Sequence, residues 1–423
     1  MKLHKLTVSK LFDRLDYSLS FEQDIITIIT GPNGYGKTIL LKIINNFMTK
    51  NLKFFFEIKF DFIELDFADF NIRLEVANNV LFVEKKDLIN NEIEKHRFIN
   101  DSINERDLVE AFEASNGNLV KKKFIKINIK NNTFLEELND SFELDHTNDL
   151  KWLDGIIGET ETTFIKAQRL ETSSNSQDMG KGTELTIKSF SKDLTKRIRI
   201  ASVTSSNIAQ KLDSTFPRRL FEFAQEYRTP SSIEDRLLGL QRTRNNFISH
   251  GLLESDKEND AQIPNHGGMD KAYTSVLSLY IEDALEKLRP YNELYNKVDL
   301  FVSLLNEKML AFKSVKIGHN RGFYFISDAG DEIELENLSS GEQNQIVLFY
   351  DLIFNTKENS IVLIDEPEIS LHVAWQKEFL DGLGKILKVN HIDKVILATH
   401  SPQVINGKWN LTIDLFKEIS GER

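Results

Sequence analysis

The sequence predicts an α/β protein whose single core is built from both ends of the chain and is interrupted by an inserted helical lobe. Three observations carry this reading. The apolar run Asp24 to Thr30 leads through the glycine-bearing turn GPNGYGKT into the apolar-periodic stretch Ile39 to Met48, a strand, tight turn and helix in succession. Near the other end, Ile361–Ile364 and Lys394–Ala398 read as buried strands on either side of a helical pattern at Leu371–Leu387. Between these ends, residues 171–311 carry helical periodicity broken by turn-rich stretches near Ser173, Thr229 and Ile263.

The elements follow in order. Residues 1–170 form the first part of the core, with strands expected at Lys2–Val8, Leu15–Phe21, Asp24–Thr30, Phe54–Leu65, Ile72–Val76, Val80–Val83, Phe124–Ile129 and Thr162–Ala167. The polar segment from about residue 86 to 120 reads as a peripheral helix. Residues 171–311 are the helical lobe, and residues 312–423 return to strand and helix alternation and complete the core.

Bulk properties narrow the classes. The 423 residues suffice to bury a large core, and the absence of cysteine excludes a disulfide framework, a thiolate metal site and a cysteine nucleophile. The opening MKLHKLTVSK lacks the apolar stretch of a signal peptide, and no run approaches the length of a membrane span. A soluble, cytoplasmic protein is expected. Its net charge of −12 argues against a surface that grips phosphate backbones throughout. Possible DNA contact is confined to local patches: Lys121 to Lys123, Lys196 with Arg197 and Arg199, Arg218 with Arg219, and Arg242 with Arg244.

Four motifs carry chemistry. In GPNGYGKT, the glycines Gly31, Gly34 and Gly36 let the backbone turn tightly, so that this segment, with Pro32 and Asn33, can aim N–H groups at phosphate oxygens. Lys37 then reaches the outer phosphates and Thr38 holds Mg²⁺, as in a Walker A loop for ATP. In IVLIDEPEISLH, two acids leave a buried strand: Asp365 is expected to orient the metal and Glu366 to polarise the attacking water. In LSSGEQNQ, a serine and glycine open a helix, and Ser340, Gly341 and Glu342 form a second candidate anion site. In ATHSPQVI, His400 leaves a strand where it can meet the γ-phosphate or the catalytic water. Gln168 stands at a strand end where the lobe begins, and resemblance to ABC-type ATPases, which place a metal-sensing glutamine at such a point, implies that role for it.

These motifs resemble those of ABC-type ATPases, with LSSGEQ in the place of the LSGGQ signature, and imply a P-loop NTPase of ABC-ATPase head type. The resemblance implies a homodimer, or a higher assembly of dimers, in which Ser340 and Gly341 of one protomer close on the ATP of the other. Lys37 and the signature lie too far apart for a transporter subunit, and the helical stretch is too short and broken for a chromosome-maintenance coiled coil. The compact branch that includes the overcoming-lysogenization-defect and RecF ATPases remains. The short stretch after His400 leaves no room for the TOPRIM nuclease domain of the former, so no nuclease centre is expected.

Taken with FIKAQRL and the stretch AQKLDSTFPRRL, the chain resembles the Septu (PtuA) ATPases of anti-phage operons and their retron-associated relatives. That resemblance implies an HNH endonuclease subunit of the PtuB type as partner. The alternative is a RecF-like repair ATPase that binds DNA without a dedicated nuclease, and a third reading is a platform that no longer hydrolyses ATP. Within the lobe, RNNFISHG spaces Arg244 and His250 as in HEPN ribonucleases, a spacing that a helix-capping histidine also produces.

Overall fold

The structure, a computed structural model, describes residues 2–22, 24–100, 125–127, 152–153, 155–158, 161–172, 184–223, 230–254, 271–308, 312–369 and 371–420. Two sheets and a helical lobe organise these residues. The first sheet has the order β2-β1-β4-β5-β6-β7-β8, where β1 is Leu3–Leu11, β2 Leu15–Ser20, β4 Phe62–Phe67, β5 Phe70–Ala77, β6 Val80–Asp87, β7 Ile93–Asn100 and β8 Ile125–Ile127. It is antiparallel except for the β7/β8 pair. The second sheet is wholly parallel, in the order β17-β3-β16-β15-β9, from Thr412–Asp414, Ile26–Thr30, Lys394–Ala398, Ile361–Asp365 and Thr162–Ile165.

The parallel sheet divides the core. Along β15 and β16, Val362, Ile364, Val395 and Leu397 enter one apolar cluster, while Ile361, Leu363, Ile396 and Ala398 enter the other. This period-two alternation is what a strand buried on both faces produces. Helix α1 (Lys37–Met48) packs its Leu40, Leu41, Ile44 and Phe47 into the second cluster, together with the antiparallel sheet. On the opposite face, α6 (Asn292–Lys308), α7 (Ser340–Tyr350) and α8 (Val373–Asn390) build the first cluster around Phe301, Phe349, Tyr350 and Phe379.

The lobe comprises α3 (Thr186–Phe223), α4 (Pro230–Ser249) and α5 (Lys271–Leu288), leading into α6. Pro217 sits inside α3, where it withholds a backbone donor from the preceding turn. Arg219 braces the same stretch: its Nη2 donates to the Leu212 carbonyl at 2.8 Å, and its Nη1 and Nη2 clamp Asp283 of α5 at 2.5 and 2.7 Å. Asp213 accepts from Lys287 at 2.8 Å, so the stretch that suggested the subfamily ties α3 to α5.

Two expectations need correction. Phe54–Glu57 is a one-turn helix, α2, rather than the start of a strand, because the chain leaving α1 folds back to bury Phe55 and only then extends into β4. Residues 93–100 form β7 where a helix was expected; they pair with β6 along its length, and Lys95 pairs with Glu84 across the ladder at 2.6 Å. The remainder of that expected helix, to residue 120, lies outside the described residues, as do the breaks near Ser173 and Ile263, Thr229 and the patch at Lys121 to Lys123. Not foreseen were the short antiparallel pair β10 (Glu171–Thr172) and β11 (Glu184–Leu185) at the entry to the lobe, and the antiparallel meander β12 (Lys313–Gly318), β13 (Gly322–Ser327) and β14 (Glu332–Ile333), through which the chain re-enters the core.

Candidate functional site

Strand order brings the motifs together. The P-loop leaves β3, His400 leaves the neighbouring β16, and Asp365 and Glu366 leave β15 beyond it, all at carboxyl ends of parallel strands. Ligands of open α/β sheets bind at that edge. The loop has the backbone a phosphate cradle requires: Gly34 and Gly36 take φ of +86° and +77°, and Gly36 caps α1 in the left-handed region. Pro32, Asn33 and Gly34 are exposed at its rim. The Tyr17 hydroxyl donates to the Tyr35 carbonyl at 2.6 Å, holding the loop to β2, and Leu415 packs closely against Gly31.

Lys37 is buried and donates to the Gly31 carbonyl at 2.8 Å, with the Pro32 carbonyl at 3.4 Å. Its ammonium also lies 3.8 Å from Glu366 Oε1. The Thr38 hydroxyl lies 3.0 Å from both carboxylate oxygens of the buried Asp365. Burial raises the Asp365 pKa, and the Thr38 hydroxyl draws it back down. A hydroxyl and a carboxylate at one buried point form a hard-oxygen donor set that suits Mg²⁺. Gln168 follows β9, next to β15, and its side chain is exposed.

Glu366 adopts φ of +45°, uncommon for a residue with a side chain and the kind of strain that gathers at working sites. Its Oε2 accepts from His400 Nδ1 at 2.6 Å. Burial and the adjacent Glu368 carboxyl push the Glu366 pKa up to about 7, while His400 pulls it down. Glu366 is 16 % exposed and His400 55 %, so the pair spans from the interior to solvent. Glu366, Glu368 and His400 offer ligand atoms within 4.8 Å of one another, although Glu368 Oε1 is already engaged by Thr399 and the His400 amide.

The signature lies apart from these residues in the fold. Helix α7 belongs to the cluster on the face of the parallel sheet opposite α1. Ser339 caps it in a capping box with Glu342, and Ser340 and Ser339 are exposed at its tip. The Glu342 carboxylate is occupied by the Ser339 amide and hydroxyl, both at 2.9 Å, and by Lys313 at 2.8 Å. It therefore builds the helix start instead of facing a ligand.

Other candidates resolve more simply. His250 Nδ1 lies 2.8 Å from the Asn246 carbonyl and Nε2 lies 3.1 Å from Asp299, so both ring nitrogens serve the end of α4 and its packing on α6. Arg197 pairs with Asp193 and Asn355, Arg219 with Asp283, and Arg218 with Glu222, which spends much of those basic patches inside the chain. Sequence reasoning missed Glu368 and Arg169. Each was legible only as a neighbour: the second acid of DEPE, and the residue after Gln168.

The fold and the site together define a P-loop ATPase of ABC-head type with an inserted helical lobe. The chain belongs to the AAA ATPase domain family, whose model matches residues 1–405. No curated protein matches the chain in sequence. Among solved structures, an SMC head bound to the C-terminal winged-helix domain of ScpA is 12 % identical, with 96 % of this chain and 91 % of that chain covered at a TM-score of 0.36. The SMC head domain from Thermotoga maritima gives the same identity and coverage at a TM-score of 0.32. At such scores the class rests on strand order and motif geometry. Among the described residues, no helix is long and apolar enough to cross a membrane.

Proposed function

We propose that the protein is a Mg²⁺-dependent ATPase whose heads close in pairs around ATP and so regulate a nuclease subunit. The observation that carries the ATPase reading is the convergence of Lys37, Thr38, Asp365, Glu366 and His400 at one edge of the parallel sheet. The backbone N–H groups of residues 31–38 hold the phosphates, and Lys37 exchanges its loop carbonyls for phosphate oxygens. Thr38 and Asp365 hold Mg²⁺, which neutralises phosphate charge when bound, and Gln168 reports on that site from the neighbouring strand. Glu366 takes the proton of the attacking water, and His400 stabilises charge building on the γ-phosphate.

The same sheet supports the paired-head reading. With α1 on one face and the exposed tip of α7 on the other, the signature of one chain is poorly placed to seal its own P-loop, and a two-fold partner supplies the missing half. Motif resemblance supports assignment to anti-phage defence with an HNH endonuclease subunit of the PtuB type.

Co-expression with the products of adjacent genes, followed by purification with and without ATP, tests the proposal. An HNH protein that co-purifies in a nucleotide-sensitive manner is the expected result. Absence of such a partner, together with ATP-dependent binding to gapped DNA, would replace the defence reading with a RecF-like repair function.

A further inference from the structure

Behind the catalytic acid lies a buried cluster that the four motifs do not account for. Glu368 is only 7 % exposed. Its Oε1 accepts from the Thr399 hydroxyl at 2.6 Å and from the His400 backbone amide at 2.9 Å, and lies 3.1 Å from His400 Nδ1. Its Oε2 is buried without a hydrogen-bond partner. A carboxyl group at this depth requires donors and a nearby opposite charge. Thr399 and His400 are the donors. The charge is Arg169, also 7 % exposed, which interacts electrostatically with Asp351, Glu368 and Asp365. Burial lowers its pKa to about 10, which leaves it cationic at neutral pH. Arg169 Nη2 reaches the Pro367 carbonyl at 3.5 Å, while Nε and Nη1 find no partner.

We propose that Glu368 is the positioning residue for His400. One oxygen grips both the backbone and the ring of the histidine, so the imidazole cannot rotate freely although more than half of it is exposed. Because Nδ1 faces two carboxylates, Glu366 at 2.6 Å and Glu368 at 3.1 Å, it is the ring nitrogen that donates. Nε2, which has no hydrogen-bond partner among the described residues, is left for the phosphate side. Glu368 thus selects which edge of His400 meets the nucleotide without touching the nucleotide itself. Arg169 steadies the carboxyl and links it to the strand end that carries Gln168.

The inference rests on the ATPase reading, and the test separates the two. Steady-state ATPase kinetics are measured for the full chain alongside Glu368→Ala and Glu368→Gln, together with the His400 imidazole resonances of each protein without nucleotide. Loss of the acceptor should lower kcat at least about tenfold in Glu368→Ala while KM for ATP stays within about threefold. Glu368→Gln keeps an oxygen for Thr399 and the His400 amide, so it should recover most of kcat and a near-native His400 resonance. Should Glu368→Ala not fold, Glu368→Asp, which withdraws the carboxyl by one methylene, takes its place with the same expectation. Wild-type kcat in the shortened variant, or an unmoved His400 resonance in it, overturns the proposal. Absence of turnover in the wild-type chain would remove the ATPase reading alone, since the resonances still decide whether Glu368 sets the ring.

Discussion

The hydroxyl of Thr38 is shared between the two carboxylate oxygens of Asp365, each 3.0 Å away, across 327 residues of sequence. One donor facing two acceptors leaves most of the carboxylate's capacity unused, and a hard cation completes such a pair. Thr38→Ala and Asp365→Asn should each reduce Mg²⁺-dependent ATP hydrolysis on the order of 100-fold. Binding of ATP in EDTA should change little, because the loop N–H groups and Lys37 remain. Isothermal titration in both buffers, beside the rate assay, distinguishes metal loss from nucleotide loss.

Glu366 has a partner on each oxygen, Lys37 at 3.8 Å and His400 at 2.6 Å, and its strained backbone holds the carboxylate at the strand exit. Glu366→Gln preserves shape and removes the base. Its hydrolysis rate should fall by about 10² to 10⁴, while ATP binding persists and dimers accumulate on size-exclusion chromatography with light scattering. A variant that hydrolyses at the wild-type rate would show that another group takes the proton.

Much of this site was legible because its chemistry sits in short contiguous motifs. GPNGYGKT and IDEPE specify a strand exit, a turn and acids within a few residues, and the fold needs only to bring their strands together. Glu368 and Arg169 were not legible as a unit, since nothing in a linear sequence joins residue 169 to residues 351, 365 and 368. The β7 error had a different cause. Its charges suit a helix or a strand, and the ladder with β6 decided the matter through long-range pairing that composition does not encode. The meander at residues 313–333 was missed because its strands are short and interrupted by HNRG and DAGD turns.

The clamp of Arg219 on Asp283 fixes the Pro217-bearing half of α3 to α5. Asp283 is almost buried, so removing the guanidinium leaves a carboxylate with little water to replace it. Arg219→Ala should destabilise the lobe by about 1–3 kcal/mol, read as an earlier or separate unfolding transition in a calorimetric scan. The initial ATPase rate at low temperature should be retained.

Lys394, at the start of β16, is buried with its ammonium donating to the Phe21 and Asp24 carbonyls. Burial lowers its pKa from 10.5 to about 8. Between those two values the unfolded chain binds a proton that the folded chain does not, so this group makes stability rise with pH from about 8 to 10.5. Below about 8 both states are protonated, and that gain is absent. Lys394→Met should flatten this part of the stability profile measured by urea unfolding. An unchanged slope would mean that the folded-state ammonium titrates normally.

Ser340 stands at the exposed tip of α7, whereas Glu342, two residues on, is consumed by the cap and by Lys313. If the tip seals a partner's ATP site, a bulky cation there blocks closure without disturbing the capping box. Ser340→Arg should therefore abolish ATP-induced dimerisation in the Glu366→Gln background and lower wild-type turnover at least about tenfold, since each site then lacks its sealing half. Nucleotide binding to the isolated head should remain, because Ser340 lies on the other face of the sheet from α1 and the loop. A complementation assay sharpens the point. Mixing Ser340→Arg with Lys37→Ala should restore about one competent site per heterodimer, because the intact P-loop of the first chain meets the intact tip of the second. Failure to restore any activity in the mixture, with both variants folded, would place the two motifs in the same subunit's site and remove the paired-head account.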